Sequence, residues 1–192
     1  MAGEAEADVR AAVRGMPGGC VLTGGQTGVD TWAAHAALRA GLPVQLVFPR
    51  GFRQEDGPLT PSRRARLRGA VFHELGPVSF RHRTRTCVSL ADAVILLDPA
   101  GGDGCRQTAR AARDLGRPLL ALPPGPADPA AVAAWLAGRE ARVIMIAGCR
   151  ASVLAAAGAS RAVRTQIAAV VAAAAQQATR IGSAAGQDPE LS

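Results

Sequence analysis

CVLTGGQTGVD, residues 20–30, passes from a short apolar run through three glycines into a helical pattern. Strand, tight turn and helix in that order form the unit of a parallel sheet, so this stretch decides the fold class. The turn has the composition of a phosphate cradle but matches neither common one. The dinucleotide-binding spacing G-x-G-x-x-G cannot be laid on Gly24, Gly25 and Gly28. The phosphate loop of nucleoside triphosphatases requires a lysine, and the chain has none.

The same unit recurs outward from this stretch. The helix Val29–Ala40 is closed by Gly41 and Pro43, and Pro43–Phe48 reads as a second strand. Residues 49–70 read as irregular, with ARLRGA as a helix candidate. Val71–Leu75 is a short third strand, and Arg81–Ala91 a helix. Ala93–Leu97 is the clearest buried strand and leads into the turn DPAGGDG. Arg106–Leu115 is helical, Pro118–Leu122 a strand, Ala130–Leu136 a helix and Arg142–Ala147 the last strand. Ala151–Arg180 is alanine-rich and mostly helical, and residues 1–18 read as a short helix and a turn. Continuous apolar strands alternating with helices predict an α/β, doubly wound, mostly parallel sheet with helices on both faces. Residues 1–182 are expected to form a single domain, with 183–192 as a flexible tail. Ligands of such sheets bind at the carboxyl ends of the strands. There the sequence places TGGQTG, FPRGFRQEDG, DPAGGDG and AGCR.

Composition narrows the chemistry. At 192 residues and 48% hydrophobic, the chain suffices for one domain with a real core. No run approaches the ~18 uncharged apolar residues of a membrane span. The start, MAGEAEADVR, lacks the basic and apolar segments of a signal peptide, so a cytoplasmic location is expected. Cys20, Cys87, Cys105 and Cys149 are scattered, which argues against a zinc site or disulfide framework, and no metal ligands are expected. There is no Lys, Asn or Tyr, and a GC-rich coding bias accounts for that. Every basic residue is therefore Arg, and Schiff-base chemistry is excluded. The net charge is +7, and Arg50 to Arg85 holds nine Arg against three acids. For RRARLR (63–68) a solvated face is preferred to a binding face. No aromatic residues interleave with it, so nucleic acid is not an expected partner.

Thr27 and Asp30 have the spacing of a capping box, with Asp in place of Glu or Gln. A cap alone does not require three glycines in five residues. The preferred reading is therefore an anion site that the backbone approaches closely. DPAGGDGCRQTARAA repeats the arrangement between the next buried strand and its helix.

GGQTGVD, FPRGFRQEDGPL, RHRTRTCVSLADAVILL, a GG loop with QTARAARDLGRPLL, and IAGCRAS, in that order, resemble the circularly permuted YpsA branch of the SLOG superfamily. Its members go by the description molybdenum-cofactor carrier. The resemblance spans about Cys20 to Ser152. It implies a Rossmann-like fold, a homo-oligomer, and a phosphorylated pterin or nucleotide bound across the glycine loops, with molybdenum cofactor the best-named candidate. No cofactor is required for function on this reading, and molybdoenzyme maturation proteins become candidate partners. By position it carries over Gly24, Gly25, Gln26, Thr27, Gly28 and Asp30 from the first loop, and Arg50, Glu55, Asp56 and Gly57 from the second. It carries over Arg81, Arg83 and Thr84 from an R-x-R-T stretch, and Gly101, Gly102, Gly104 and Thr108 from the second glycine motif. Gly148, Arg150 and Ser152 match the terminal motif. Arg81 or Arg83 is expected to reach a phosphate held by TGGQTG.

Departures from the pattern bear on activity. Cys87 stands where the family often has Asn, Cys149 replaces Pro, and Ala151 replaces Glu. In related phosphoribohydrolases a catalytic Glu occupies the position of Thr108, and a Thr that of Cys105. A threonine cannot serve as a general acid or base carboxylate, so no catalytic residue is assigned. The alternative readings are a nucleoside-monophosphate N-glycosidase, with Glu55 or Asp56 as substitute carboxylate, and a nucleotide-sensing module. Cys105 sits near a helix N-terminus beside Arg106, a setting that favours thiolate, but the preferred reading is a small residue filling the space of Thr. His35 is read as structural.

Overall fold

The computed structural model describes residues 2–97, 102–123 and 125–185. Helix α1 (Ala2–Arg14) leads into β1 (Cys20–Thr23), then α2 (Val29–Arg39) and β2 (Val44–Phe48). A small antiparallel hairpin, β3 (Arg53–Gln54) and β4 (Gly57–Pro58), precedes α3 (Pro61–Ala65) and β5 (Val71–Glu74). Next come α4 (Phe80–Leu90), β6 (Ala93–Leu97), α5 (Asp103–Asp114), β7 (Leu119–Leu122), α6 (Pro129–Ala137) and β8 (Val143–Gly148). Helices α7 (Ala151–Ala156) and α8 (Ser160–Ala185) end the described chain.

Six strands form one sheet in the order β5-β2-β1-β8-β6-β7, every pair parallel. Val21 pairs with Val44, Cys20 with Val143 and Ala93 with Ile144. Strands β1, β2 and β6 are buried along their whole length, as the mainly apolar strands of a sheet covered on both faces are, with Thr23 and Gln45 the buried polar exceptions. Helices α2, α6 and α8 pack together on one side, and α4 packs with α1 and α5 on the other. The edge strand β5 is half exposed and carries His73 and Glu74. The α/β doubly wound architecture is thus the expected one, with a sheet that is entirely parallel.

Three details differ from expectation, each for a local reason. The segment 49–70, read as irregular, contains the hairpin and α3, which starts where Thr60 accepts a hydrogen bond from the Arg63 N–H (3.3 Å) and Pro61 takes the first helical position. Helix α5 begins at Asp103, three residues earlier than read. The alanine-rich run is two helices. Gly158 adopts φ 62, its N–H donates to the Ala155 carbonyl, and the Ala159 N–H reaches back to Leu154, a left-handed helix ending that glycine makes inexpensive. Helix α8 then buries Val163, Ile167, Val170 and Val171 against the domain. No described helix is long and apolar enough to cross a membrane. The expected tail is helical to Ala185, and residues 186–192 lie outside the described residues, as does Gly101 of the second glycine motif.

Candidate functional site

The three glycines of the first loop accommodate the protein's own atoms. A Cβ at Gly24 would lie 1.3 Å from Arg83 Nη1, and one at Gly25 2.2 Å from the Phe48 ring. At Gly28 it would meet the Cys149 carbonyl and the Ala151 N–H, both at 2.5 Å. Gly25 and Gly28 also have φ of 66 and 81, which L side chains rarely adopt.

The loop's N–H groups are spent internally as well. Gly25 donates to Thr23 Oγ1 (3.3 Å), Gln26 to Asp30 Oδ2 (3.2 Å) and Thr27 to its neighbour Gln26 Oε1 (3.0 Å). The Gly24 N–H also faces the Asp30 carboxylate. Asp30 is therefore the anion around which the loop is wrapped. The expected capping box does not form: the N-cap of α2 is Gly28, with no side-chain cap, and the Thr27 hydroxyl donates to Glu55 instead. Burial pushes the Asp30 carboxyl up to about 6, against the opposing pull of Arg83 and the two backbone N–H groups.

Arg83, expected to reach a bound phosphate, packs inside the protein. It is 5% exposed, lies behind the loop, and faces Asp30 at 3.6 Å. Cys87, in the position of the expected Asn, is fully buried beside that guanidinium, and its thiol is pushed up to about 11 by burial. Thr108 is likewise buried, its hydroxyl donating to the Gly104 carbonyl at 3.0 Å. Arg81 lies apart, in a groove of about 330 Å³ with Arg85, Asp103, Arg106 and Arg110. Arg50 is exposed in the turn after β2 and Thr84 is half-buried in α4; neither lines the main cavity.

Three of the four strand-end loops do converge. Gln54 Nε2 donates to the Gly25 carbonyl (2.7 Å), and the Glu55 N–H to Gln26 Oε1 (2.7 Å). Glu55 then joins the loop after β8: Ser152 Oγ donates to Oε2 (2.6 Å), and the Ser152 N–H approaches Oε1 at 3.4 Å. Burial pushes the Glu55 carboxyl upward, but these bonds, that of Thr27 and the charge of Arg150 outweigh it and hold it below the ordinary range. Asp56 is held low chiefly by its two-pronged pairing with Arg63, at 3.0 and 2.7 Å. The described end of the third loop, from Gly102, touches the fourth through Cys105 and Cys149.

Beside this junction opens a cavity of about 720 Å³. Of the residues expected from sequence, Thr27, Gly28, Glu55, Asp56 and Ser152 line it. Sequence reading left out Trp32, Gln54 and Arg164, preferred a solvated face for the stretch with Arg63 and Arg66, and took His35 for a structural residue; all six line the cavity too. The Arg164 guanidinium lies over the Trp32 ring, 3.8 Å from its centroid. Among the described residues, neither Arg66 nor Arg164 is paired with a carboxylate. The half-buried His35 imidazole is held below its ordinary pKa by burial first, and then by Arg39, Arg66 and Arg164. No cluster of three or more metal-binding side chains occurs among the described residues. The cavity thus combines a flat aromatic wall, a polar corner at Glu55 and Ser152, and a cationic side at Arg66 and Arg164.

Comparison with known proteins gives the family and a similar fold. Residues 21–171 match the model described as "Circularly permutated YpsA SLOG family". No curated protein matches. Among solved structures, the crystal structure of the "Putative molybdenum carrier protein" from Syntrophus aciditrophicus is similar with a TM-score of 0.65 and 21% identity. The match covers 79% of this chain and 92% of that one, and at this identity it speaks to the fold.

Proposed function

The chain belongs to the circularly permutated YpsA SLOG family, and from that premise we propose that it is a binding or carrier protein for a phosphorylated heterocycle, a pterin or a nucleotide. Molybdenum cofactor is the best-named cargo. The observation that carries this reading is the cavity of about 720 Å³ between Thr27, Glu55, Trp32 and Arg164. Its volume falls within the ~300–1,000 Å³ of small-molecule sites. The Trp32 face suits a planar ring, which replaces or sandwiches the Arg164 guanidinium stacked there. The Glu55 carboxylate and the Ser152 hydroxyl oxygen offer acceptors to the ring edge or to hydroxyl groups. The phosphate belongs with Arg66 and Arg164 rather than in the first glycine loop, because the loop's N–H groups already serve Thr23, Gln26 and Asp30. A guanidinium without a carboxylate partner is the natural receiver for a phosphate, which it can grip through two parallel N–H bonds.

The test is calorimetric titration of phosphorylated and dephosphorylated pterins and nucleotides against the wild type, Arg66→Gln and Arg164→Gln. The phosphorylated form should bind more tightly to wild type, and each variant should lose about tenfold for that form alone. Equal affinity of the two forms for wild type sinks the reading. Native mass spectrometry of the purified protein identifies any retained cargo and its stoichiometry with homo-oligomer copies.

A further inference from the structure

Cys105 and Cys149 are 44 residues apart in sequence. In space their sulphurs are 3.3 Å apart and buried. Cys105 lies in the first turn of α5, directly after the second glycine loop. Cys149 follows β8 at the carboxyl edge of the sheet, and a Cβ on Gly102 would sit 3.8 Å from its sulphur. The other two thiols are in a different situation. Burial pushes Cys20 up to about 12 and Cys87 up to about 11, and neither has a cysteine neighbour.

We propose that Cys105 and Cys149 form a redox-modification site, a dithiol that a peroxide or a low-molecular-weight disulfide converts to a disulfide joining the first turn of α5 to the turn after β8. The sulphurs need to approach by little more than an ångström to reach the ~2.05 Å of a disulfide bond. With hydrogen peroxide, one thiolate attacks oxygen: an S–O bond forms, the O–O bond breaks, and hydroxide leaves to become water. The second sulphur then attacks the sulfenic sulphur, the S–S bond forms, and a second water departs. Two thiols thereby lose two electrons and two protons, and one peroxide becomes two waters. A dithiol reductant reverses the change by exchange.

The position gives the modification a route to the cavity. The Cys149 carbonyl accepts the Val29 N–H at 3.2 Å, directly after Gly28. Three residues beyond Cys149, Ser152 holds Glu55. A bond at Cys149 therefore ties the start of α5 to the turn that seats both the first glycine loop and the Glu55 corner.

The experiment uses the full chain. The reduced protein is treated with hydrogen peroxide or oxidised glutathione, and remaining thiols are alkylated under denaturing conditions. Two of the four thiols should be lost, with a mass decrease of two hydrogens per chain. Tryptic digestion should then yield residues 86–106 linked to residues 143–150. The first fragment also contains Cys87, so the same digest of Cys87→Ser must retain the link, and fragmentation of the wild-type peptide assigns it without any variant. Dithiothreitol should restore all four thiols. Four alkylated cysteines after treatment, a bond involving Cys20 or Cys87, or oxygen added to a cysteine without a bond each overturns the proposal.

Discussion

Arg83 and Asp30 face each other at 3.6 Å directly beneath Gly24, both side chains more than nine-tenths buried. The pair accounts for the glycine at position 24. The guanidinium occupies the space of a Gly24 side chain, and the carboxylate takes the N–H groups of Gly24 and Gln26. Truncating one partner strands the other. Asp30→Ala should therefore destabilise the fold by about 3–5 kcal/mol, the usual consequence of an uncompensated buried charge. Urea denaturation at neutral pH measures it; a loss below about 1 kcal/mol would mean that the pair does not hold the loop.

The same glycines separate fold from binding. Gly28→Ala forces a Cβ to within 2.5 Å of backbone atoms at φ 81, and should cost about 2 kcal/mol or more. A Cβ at Gly104, in the first turn of α5, or at Gly182, in α8, would meet nothing within 4 Å. Alanine at either should be neutral or stabilise by up to about 1 kcal/mol. Thermal melts of the three variants test the ordering. A Gly28→Ala protein as stable as wild type would contradict the packing at Cys149 and Ala151.

How much of this was legible beforehand follows from the range of each signal. Strand β6 announces itself because AVILL is buried on both faces and bounded by turn residues. The order of the strand-end loops is equally readable. What a glycine approaches is not local information. Gly24, Gly25 and Gly28 imply close contact, but only the fold reveals that the contacts are Arg83, Phe48 and the turn after β8. The cations of the cavity were hidden for the same reason: Arg66 and Arg164 come from segments about a hundred residues apart, and neither segment alone shows that they meet. The capping spacing of Thr27 and Asp30 misled because the Thr27 hydroxyl has a competing acceptor in Glu55, which the turn cannot foretell.

Asp30 also gives the stability a pH signature. Its carboxyl is raised from 3.8 to about 6 in the folded protein, so between these values the native state binds more proton than the unfolded chain. This proton-linked part of the stability, separate from what the ion pair with Arg83 adds at neutral pH, is fully present below about pH 4 and is lost as pH rises through 6. The stability difference between wild type and Asp30→Asn should accordingly shrink, on the order of 2–3 kcal/mol, from pH 4 to pH 7. Denaturation of both proteins across that range checks it, and a pH-independent difference refutes it.

Glu55 behaves in the opposite sense. Its depressed pKa depends largely on the hydroxyl of Ser152, which donates at 2.6 Å. Ser152→Ala should raise the Glu55 pKa toward its ordinary value while leaving Asp56, held by Arg63, unchanged. The stabilisation from Glu55 is present above its unfolded pKa and is lost as pH falls through the folded one. Carboxyl carbon chemical shifts followed between pH 2 and 7 report both groups. An unshifted Glu55 in the variant would show that Ser152 does not tune it.

The same bonds argue against hydrolysis. Releasing a base from a nucleoside monophosphate needs a carboxylate to stabilise an oxocarbenium-like centre or to activate water. Among the described residues, the cavity offers two, Glu55 and Asp56. Glu55 accepts from Thr27 and Ser152, and Asp56 grips Arg63 with both oxygens. Each is held well below the pKa of a general acid or base poised for neutral pH. Thr108, expected from the resemblance to stand where a catalytic Glu would, is buried and donates to the Gly104 carbonyl. Incubation with AMP, GMP and CMP at pH 7, followed by chromatography, should release no base at the usual enzymatic ~1–10³ per second. If base appears at such a rate and Glu55→Gln abolishes it, Glu55 is catalytic in spite of its bonds, and the protein is an N-glycosidase rather than a carrier.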